Sequence, residues 1–142
     1  MADPKLILET IALSHEGAML ALRAAIDAAN AMGVPQCIII VDASGETIAS
    51  LRMNGARYLS MRTARAKAQT AASINGATGQ IAHDVGAIVG ITTQGSMTSL
   101  PGGLPIRFGG RLAGAIGVGS GTGEQDVVVA RAALAALGAD GV

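Results

Sequence analysis

PGGLPIRFGGRLAGAIGVGSGTGEQDVVVARAAL, residues 101–134, decides the architecture. Two apolar runs, Pro105–Phe108 and Arg111–Val118, flank Gly109 and Gly110. Two adjacent glycines permit the left-handed two-residue turn of a tight hairpin. Past the second run, Thr122 stands three residues before Gln125, the spacing of a capping box, in which each side chain satisfies the other residue's free backbone N–H. Glu124 and Asp126 add negative charge to the first turn, where the helix dipole favours it. A helix is predicted to about Leu137, ending at Gly138. The run Gly117–Gly123 (GVGSGTG) follows a strand and opens a helix, as a phosphate loop does. Its spacing is G-x-G-x-G-x-G rather than G-x-G-x-x-G, and no Gly-Lys pair follows, so these glycines read as turn and close-packing positions.

Upstream, Gln94–Leu104 carries Gly95, Pro101, Gly102 and Gly103 and reads as loop. Ala87–Thr93 reads as a third strand, and Thr78–Asp84 as a short helix. Met61–Ile74 is rich in alanine, arginine and lysine, all good helix formers, with Ser60 as cap and Asn75-Gly76 as stop. Its Ala64, Ala68 and Ala71 form a small-residue face that another backbone can approach closely. Gln36–Asp42 holds a β-branched run suited to a strand covered on both faces. Asp42–Gly45 is a turn, and Glu46–Met53 returns as the second strand. Asp3 as N-cap and Pro4 at the first helical position open a helix predicted to about Met32, with Leu8, Ile11, His15, Ala18 and Leu22 on one stripe. Gly33 and Pro35 stop it. The expected fold is a single α/β (α+β) domain over 1–142, with a central antiparallel sheet of about five strands and helices on both faces.

Ten basic and ten acidic residues balance, and no basic patch points to nucleic acid. The apolar runs are too interrupted for a membrane span, and the N-terminus does not read as a signal peptide. The single cysteine, Cys37, excludes an intramolecular disulfide and fits the cytoplasm. Charged residues are only 14% of the chain, which predicts a homo-oligomer whose subunits cover one another.

Several side chains invite chemistry. His15 sits on the apolar stripe, where it is an interior histidine or a metal ligand; His83, beside Asp84, is the more exposed. Cys37 opens an apolar strand and reads as a core thiol. Arg52 ends the second strand, while Lys67 and Thr70 share a helix face with Thr63. Arg52, Lys67 and Arg107 could together hold a carboxylate or propionate, because a guanidinium binds such groups in bidentate fashion. The alternative is a solvated helix face with an ion pair to Asp42 or Asp126.

VDASGETIASLRMNGA (41–56), ARAKAQTAAS (64–73) and the stretch quoted first, in that order, resemble the GlcG/HbpS-like family of small haem-binding and haem-degrading domains. The resemblance covers nearly the whole chain. It implies a profilin-like α/β fold, assembly into dimers and often octamers, and a small-molecule ligand. Similar domains are fused to corrinoid adenosyltransferases, and others serve the breakdown of glycolate or aromatic compounds, some as small lyases. Arg52, Met53, Lys67, Thr70, Gly102, Gly103, Gly117 and Asp126 match the family's recurrent positions. Haem is the implied cofactor, with Arg52, Lys67 or Arg107 on its propionates and His15 or His83 on its iron. Gly102 and Gly103 could line the pocket. The competing expectation is a cofactor-free lyase, isomerase or hydrolase acting on an aromatic or carboxylated metabolite, with His83, Asp84, Glu124 or Asp126 moving protons. A third is an accessory subunit without a ligand.

Overall fold

Four antiparallel strands form one sheet in the computed structural model, which describes residues 2–141; across the sheet they lie in the order second, first, fourth, third in sequence. In chain order the elements are α1 (His15–Met32), β1 (Cys37–Asp42), β2 (Thr47–Arg52), α2 (Ser60–Ile74), α3 (His83–Thr92), β3 (Gly103–Phe108), β4 (Arg111–Gly119) and α4 (Gly123–Leu137). A short 3₁₀ turn, Thr78–Gln80, precedes α3.

The β1 run explains the layering. Ile38 and Ile40 join Ile106, Ile116, Val118, Val129 and Leu134 in a core covered by α1 and α4. Cys37, Ile39 and Val41 face the other way, onto Ala64, Ala68 and Ala71 of α2. A strand buried on both faces reads as a continuous apolar run rather than an alternating one. The Gly109-Gly110 turn forms as expected, with φ of 58° and 78°. Both of its N–H groups donate to the Asp140 carboxylate, at 3.1 and 2.7 Å, so the segment after α4 clamps the hairpin. The Thr122/Gln125 capping box is present, and Gly138 ends α4 in the left-handed region.

Four expectations are corrected. The first helix does not start at Pro4. Ser14, extended at φ −74° and ψ 161°, is its cap, and Ser14 Oγ accepts the Gly17 N–H at 3.0 Å. Residues 2–14 lie outside any helix, and Leu6, Ile7 and Leu8 are 91%, 87% and 77% exposed. His15 therefore stands at the exposed start of α1, while Ala18, Ala21, Leu22, Ala25 and Ala29 make the buried stripe.

The strand expected over Ala87–Thr93 does not form: these residues belong almost wholly to α3, and the sheet has four strands rather than five. A short apolar run does not by itself separate strand from helix. Gly86 and Gly90 settle it, since they let the following loop fold back along the helix. A methyl group on Gly86 would lie 2.5 Å from the Ser99 side chain, and one on Gly90 would lie 3.2 Å from the Met97 carbonyl. Thr93 Oγ1 fixes the reversal by donating to the Val89 carbonyl (2.7 Å) and accepting from Met97 N–H (3.1 Å). The helix expected over Thr78–Asp84 divides into the 3₁₀ turn and the start of α3. Ser60 lies inside α2 rather than capping it; three backbone bonds of i→i+3 type, from the N–H groups of Ser60, Met61 and Arg62, tighten the start instead.

Candidate functional site

The small face of α2 sets the site. Ala64 and Ala68 lie directly on Gly117 of β4, so the helix backbone comes close enough for Lys67 to reach past the strand end. Lys67 Nζ donates to the Val118 carbonyl at 2.7 Å and to Asp126 Oδ2 at 2.8 Å. Asp126 sits in the first turn of α4, where its Oδ1 accepts the Gly121 N–H at 3.0 Å. Lys67 is 4% exposed and Asp126 2%, so the pair is buried. Between them and the surface is a cleft of about 210 Å³, bordered by Arg57, Ser60, Thr63, Ser120, Gly121 and Gly123.

Gly102 and Gly103 do not line this cleft; they close it from behind. Gly102 has φ 118°, and a methyl group there would lie 2.8 Å from Asp126 Cβ and 3.1 Å from Lys67 Nζ. Gly103 packs on the Lys67 backbone and donates its N–H to Thr78 Oγ1 at 3.1 Å. Thr70 is also buried, and its hydroxyl accepts the Thr98 N–H at 3.1 Å, holding the loop after α3.

The three cations do not form one group. Lys67 is engaged with Asp126. Arg107 donates to the Asn75 carbonyl at 3.3 Å, past the end of α2. Arg52 is exposed and shares a different cleft, of about 400 Å³, with Arg23, Asn30 and Met53 at the edge of α1. His83 is exposed at the first residue of α3 and is not among the groups around Asp126. Burial pushes the Cys37 thiol up, against a smaller downward pull from the Arg52 cation, so this thiol is a poor nucleophile.

The sequence reading missed Gln36, Arg57, Ser120 and Gly121. Gln36 is fully buried, and neither its Nε2 nor its Oε1 has a partner. Its amide abuts the wall of the cleft: a methyl group on Gly121 would lie 2.6 Å from Nε2 and 2.9 Å from Asp126 Oδ1. A glutamine at the mouth of an apolar strand was the available signal. Ser120 takes φ 88°, unusual for a residue with a side chain, and its Oγ accepts the Arg57 N–H at 3.0 Å.

A second face is built on α1. The His15 side chain is 81% exposed, with Nε2 3.1 Å from Glu16 Oε1. Met19 follows one turn later at 56% exposure, and Arg23 one turn after that. Arg23 then meets Arg52 and Met53. One imidazole, thioethers and two guanidiniums thus lie along one side of the helix, with His15 and Arg23 about 12 Å apart along its axis. Among the described residues no three His, Cys, Asp or Glu side chains converge as a metal site, so one imidazole is what this face offers an iron.

A family model described as haem-degrading protein, HbpS-like, matches residues 13–135. The chain belongs to this HbpS-like family. Its mixed α/β fold with an antiparallel sheet is that of the Klebsiella pneumoniae protein ORFY, whose crystal structure superposes with a TM-score of 0.88 at 25% identity, over 96% of this chain and 98% of that one. The PduOC domain, solved as a haem complex, superposes with a TM-score of 0.85 at 31% identity, over 92% and 98% of the two chains. The corrinoid adenosyltransferase PduO of Salmonella typhimurium is 33% identical over 132 residues, 89% of this chain. This HbpS-like chain spans only 39% of that protein's length. Among the described residues no helix is long and apolar enough to cross a membrane.

Proposed function

We propose that this HbpS-like domain binds haem, or a related tetrapyrrole, on the outer face of α1 and does so as a homo-oligomer. The placement of His15 carries the reading. It is exposed at the head of a face that ends in Arg23 and Arg52, and a domain of the same fold is known as a haem complex. A neutral imidazole is a common axial ligand, and the two guanidiniums suit paired propionates. The donor set fits the group. Haem would supply a redox-active iron; the chain supplies His15 to hold it, Met19 as an apolar support, and Arg23 with Arg52 to orient it. The single cysteine, Cys37, free and buried, supports a cytoplasmic location.

Titration with haemin is expected to give a saturable, sharpened Soret band. His15→Ala should remove the sharpening and His83→Ala should leave it. Arg52→Ala should weaken binding by about tenfold, the effect of one charge-assisted hydrogen bond. A band unchanged by His15→Ala would overturn the assignment.

The oligomer rests on α3. Val85, Ile88 and Ile91 are 49%, 64% and 79% exposed, and Gly86 is the helix's one buried residue. An exposed apolar helix face of this kind is suited to a second copy of the chain. Light scattering should return a multiple of the 14.0 kDa chain mass. Ile88→Asp with Ile91→Asp should return a smaller species, and a monomeric parent protein would refute the proposal.

A further inference from the structure

We infer that the cleft over Lys67 and Asp126 is a second binding site, separate from the α1 face, for a small carboxylate bearing an oxygen on the neighbouring carbon.

Size is the first constraint. At about 210 Å³ the cleft is smaller than the pockets that take drug-sized ligands, so it is too small to enclose a tetrapyrrole, while a ligand of a few carbons fits. Charge is the second. Lys67 neutralises Asp126, and Arg57 is exposed with no carboxylate partner among the described residues. The cleft therefore carries one net positive charge from its lining side chains. It also lies at the head of α4, a helix of 15 residues. The capping box engages the N–H groups of Thr122 and Gln125, while those of Gly123 and Glu124 have no protein partner among the described residues. A carboxylate meets the positive end of the helix there, together with the Arg57 guanidinium.

Two nearly fully buried polar groups supply the independent argument. An ammonium has three N–H donors, and Lys67 uses two, on Val118 and Asp126. The third is left for a ligand oxygen, and Lys67 lines the cleft. Gln36 is the second. Its whole amide is buried and unpartnered against the Gly121–Asp126 wall, where leaving polar groups without partners is unfavourable. A ligand that draws the Gly121 backbone towards itself leaves Asp126 Oδ1 short of a donor, and the Gln36 amide is the group placed to replace it. Gln36 is thus a positioning residue behind the site, and Arg57, Lys67 and Gly123 are the groups that touch the carboxylate and its neighbouring oxygen.

The test is a titration of the full chain with pyruvate, followed by NMR of the Gly121 and Gly123 amides, with acetate as the ligand lacking the second oxygen. Pyruvate should give saturable shifts at both amides and bind more tightly than acetate. Arg57→Ala should weaken pyruvate binding by about tenfold to a hundredfold, the loss of a charge-assisted contact, while leaving the haemin titration unchanged. Gln36→Met should fold at least as stably as the parent and bind pyruvate more weakly. An absence of saturable shifts, or an affinity that neither substitution alters, would overturn the site. His15→Ala should leave pyruvate binding intact, so failure of the haem reading and failure of this one are told apart.

Discussion

Gly117→Ala is expected to leave the chain without a stable fold. Gly117 is in β4, an interior strand of the sheet, paired with Ile39 of β1 on one side and Gly103 of β3 on the other. A methyl group there would coincide with the Ala64 carbonyl and lie 2.6 Å from the Ala68 nitrogen. These are backbone atoms of α2, so no rotamer change relieves the clash. The helix would have to lift off the sheet, opening the core formed by Cys37, Ile39, Val41 and Ala115 and withdrawing Lys67 from Asp126. Overpacking with loss of a buried ion pair belongs to the mechanisms that cost above about 4–5 kcal/mol, much of a small domain's total stability of about 5–15 kcal/mol. Gly109→Ala is the control. It too places a side chain on a glycine, at φ 58°, but nothing lies within 4 Å, so it should cost only about 1–2 kcal/mol of backbone strain. Urea unfolding followed by circular dichroism separates the two. A Gly117→Ala protein as stable as Gly109→Ala would show that α2 does not lie this close.

The same contact shows what the sequence makes legible. Ala64, Ala68 and Ala71 recur at helical spacing, and helical spacing fixes which side chains share a face, so a small-residue face awaiting another backbone could be read directly. The Gly109-Gly110 turn, the β1–β2 hairpin and the Thr122/Gln125 cap were legible for the same reason: each is a local rule satisfied within a few residues. What escaped depended on neighbours distant in sequence. Ala87–Thr93 has strand-like composition, and only the loop returning over Gly86 and Gly90 makes it a helix. Leu8 and Ile11 continue the apolar spacing of α1, yet Ser14 caps the helix before they can join it. Arg52, Lys67 and Arg107 have the right chemistry for one anion site, but Arg52 lines the cleft beside α1, Arg107 reaches Asn75 past the end of α2, and Asp126, 59 positions from Lys67, takes the lysine. Gln36 and Gly121 meet only because β1 and β4 are paired, with Cys37 opposite Gly119.

Lys67→Met is expected to destabilise the domain by about 3–5 kcal/mol, the usual consequence of removing one member of a buried ion pair. Methionine fills much of the lysine stem's volume, so packing changes little. What is left is the Asp126 carboxylate, 2% exposed, with the Gly121 N–H as its remaining donor and the Gln36 amide beside it. An unpaired carboxylate in that position keeps its desolvation cost and loses the cation that offset it. Adding Asp126→Asn should recover more than half of the loss. A neutral amide oxygen can still accept from Gly121, and no net charge is then buried. The double-mutant cycle would report a strong coupling between the two positions, as contacting residues of one network do. Independent, additive losses would mean that Lys67 acts chiefly through the Val118 carbonyl and that Asp126 is held by the α4 turn alone. A strong coupling would fix the cleft's charge state as a matched pair plus Arg57, the condition under which a carboxylate can enter without displacing either partner.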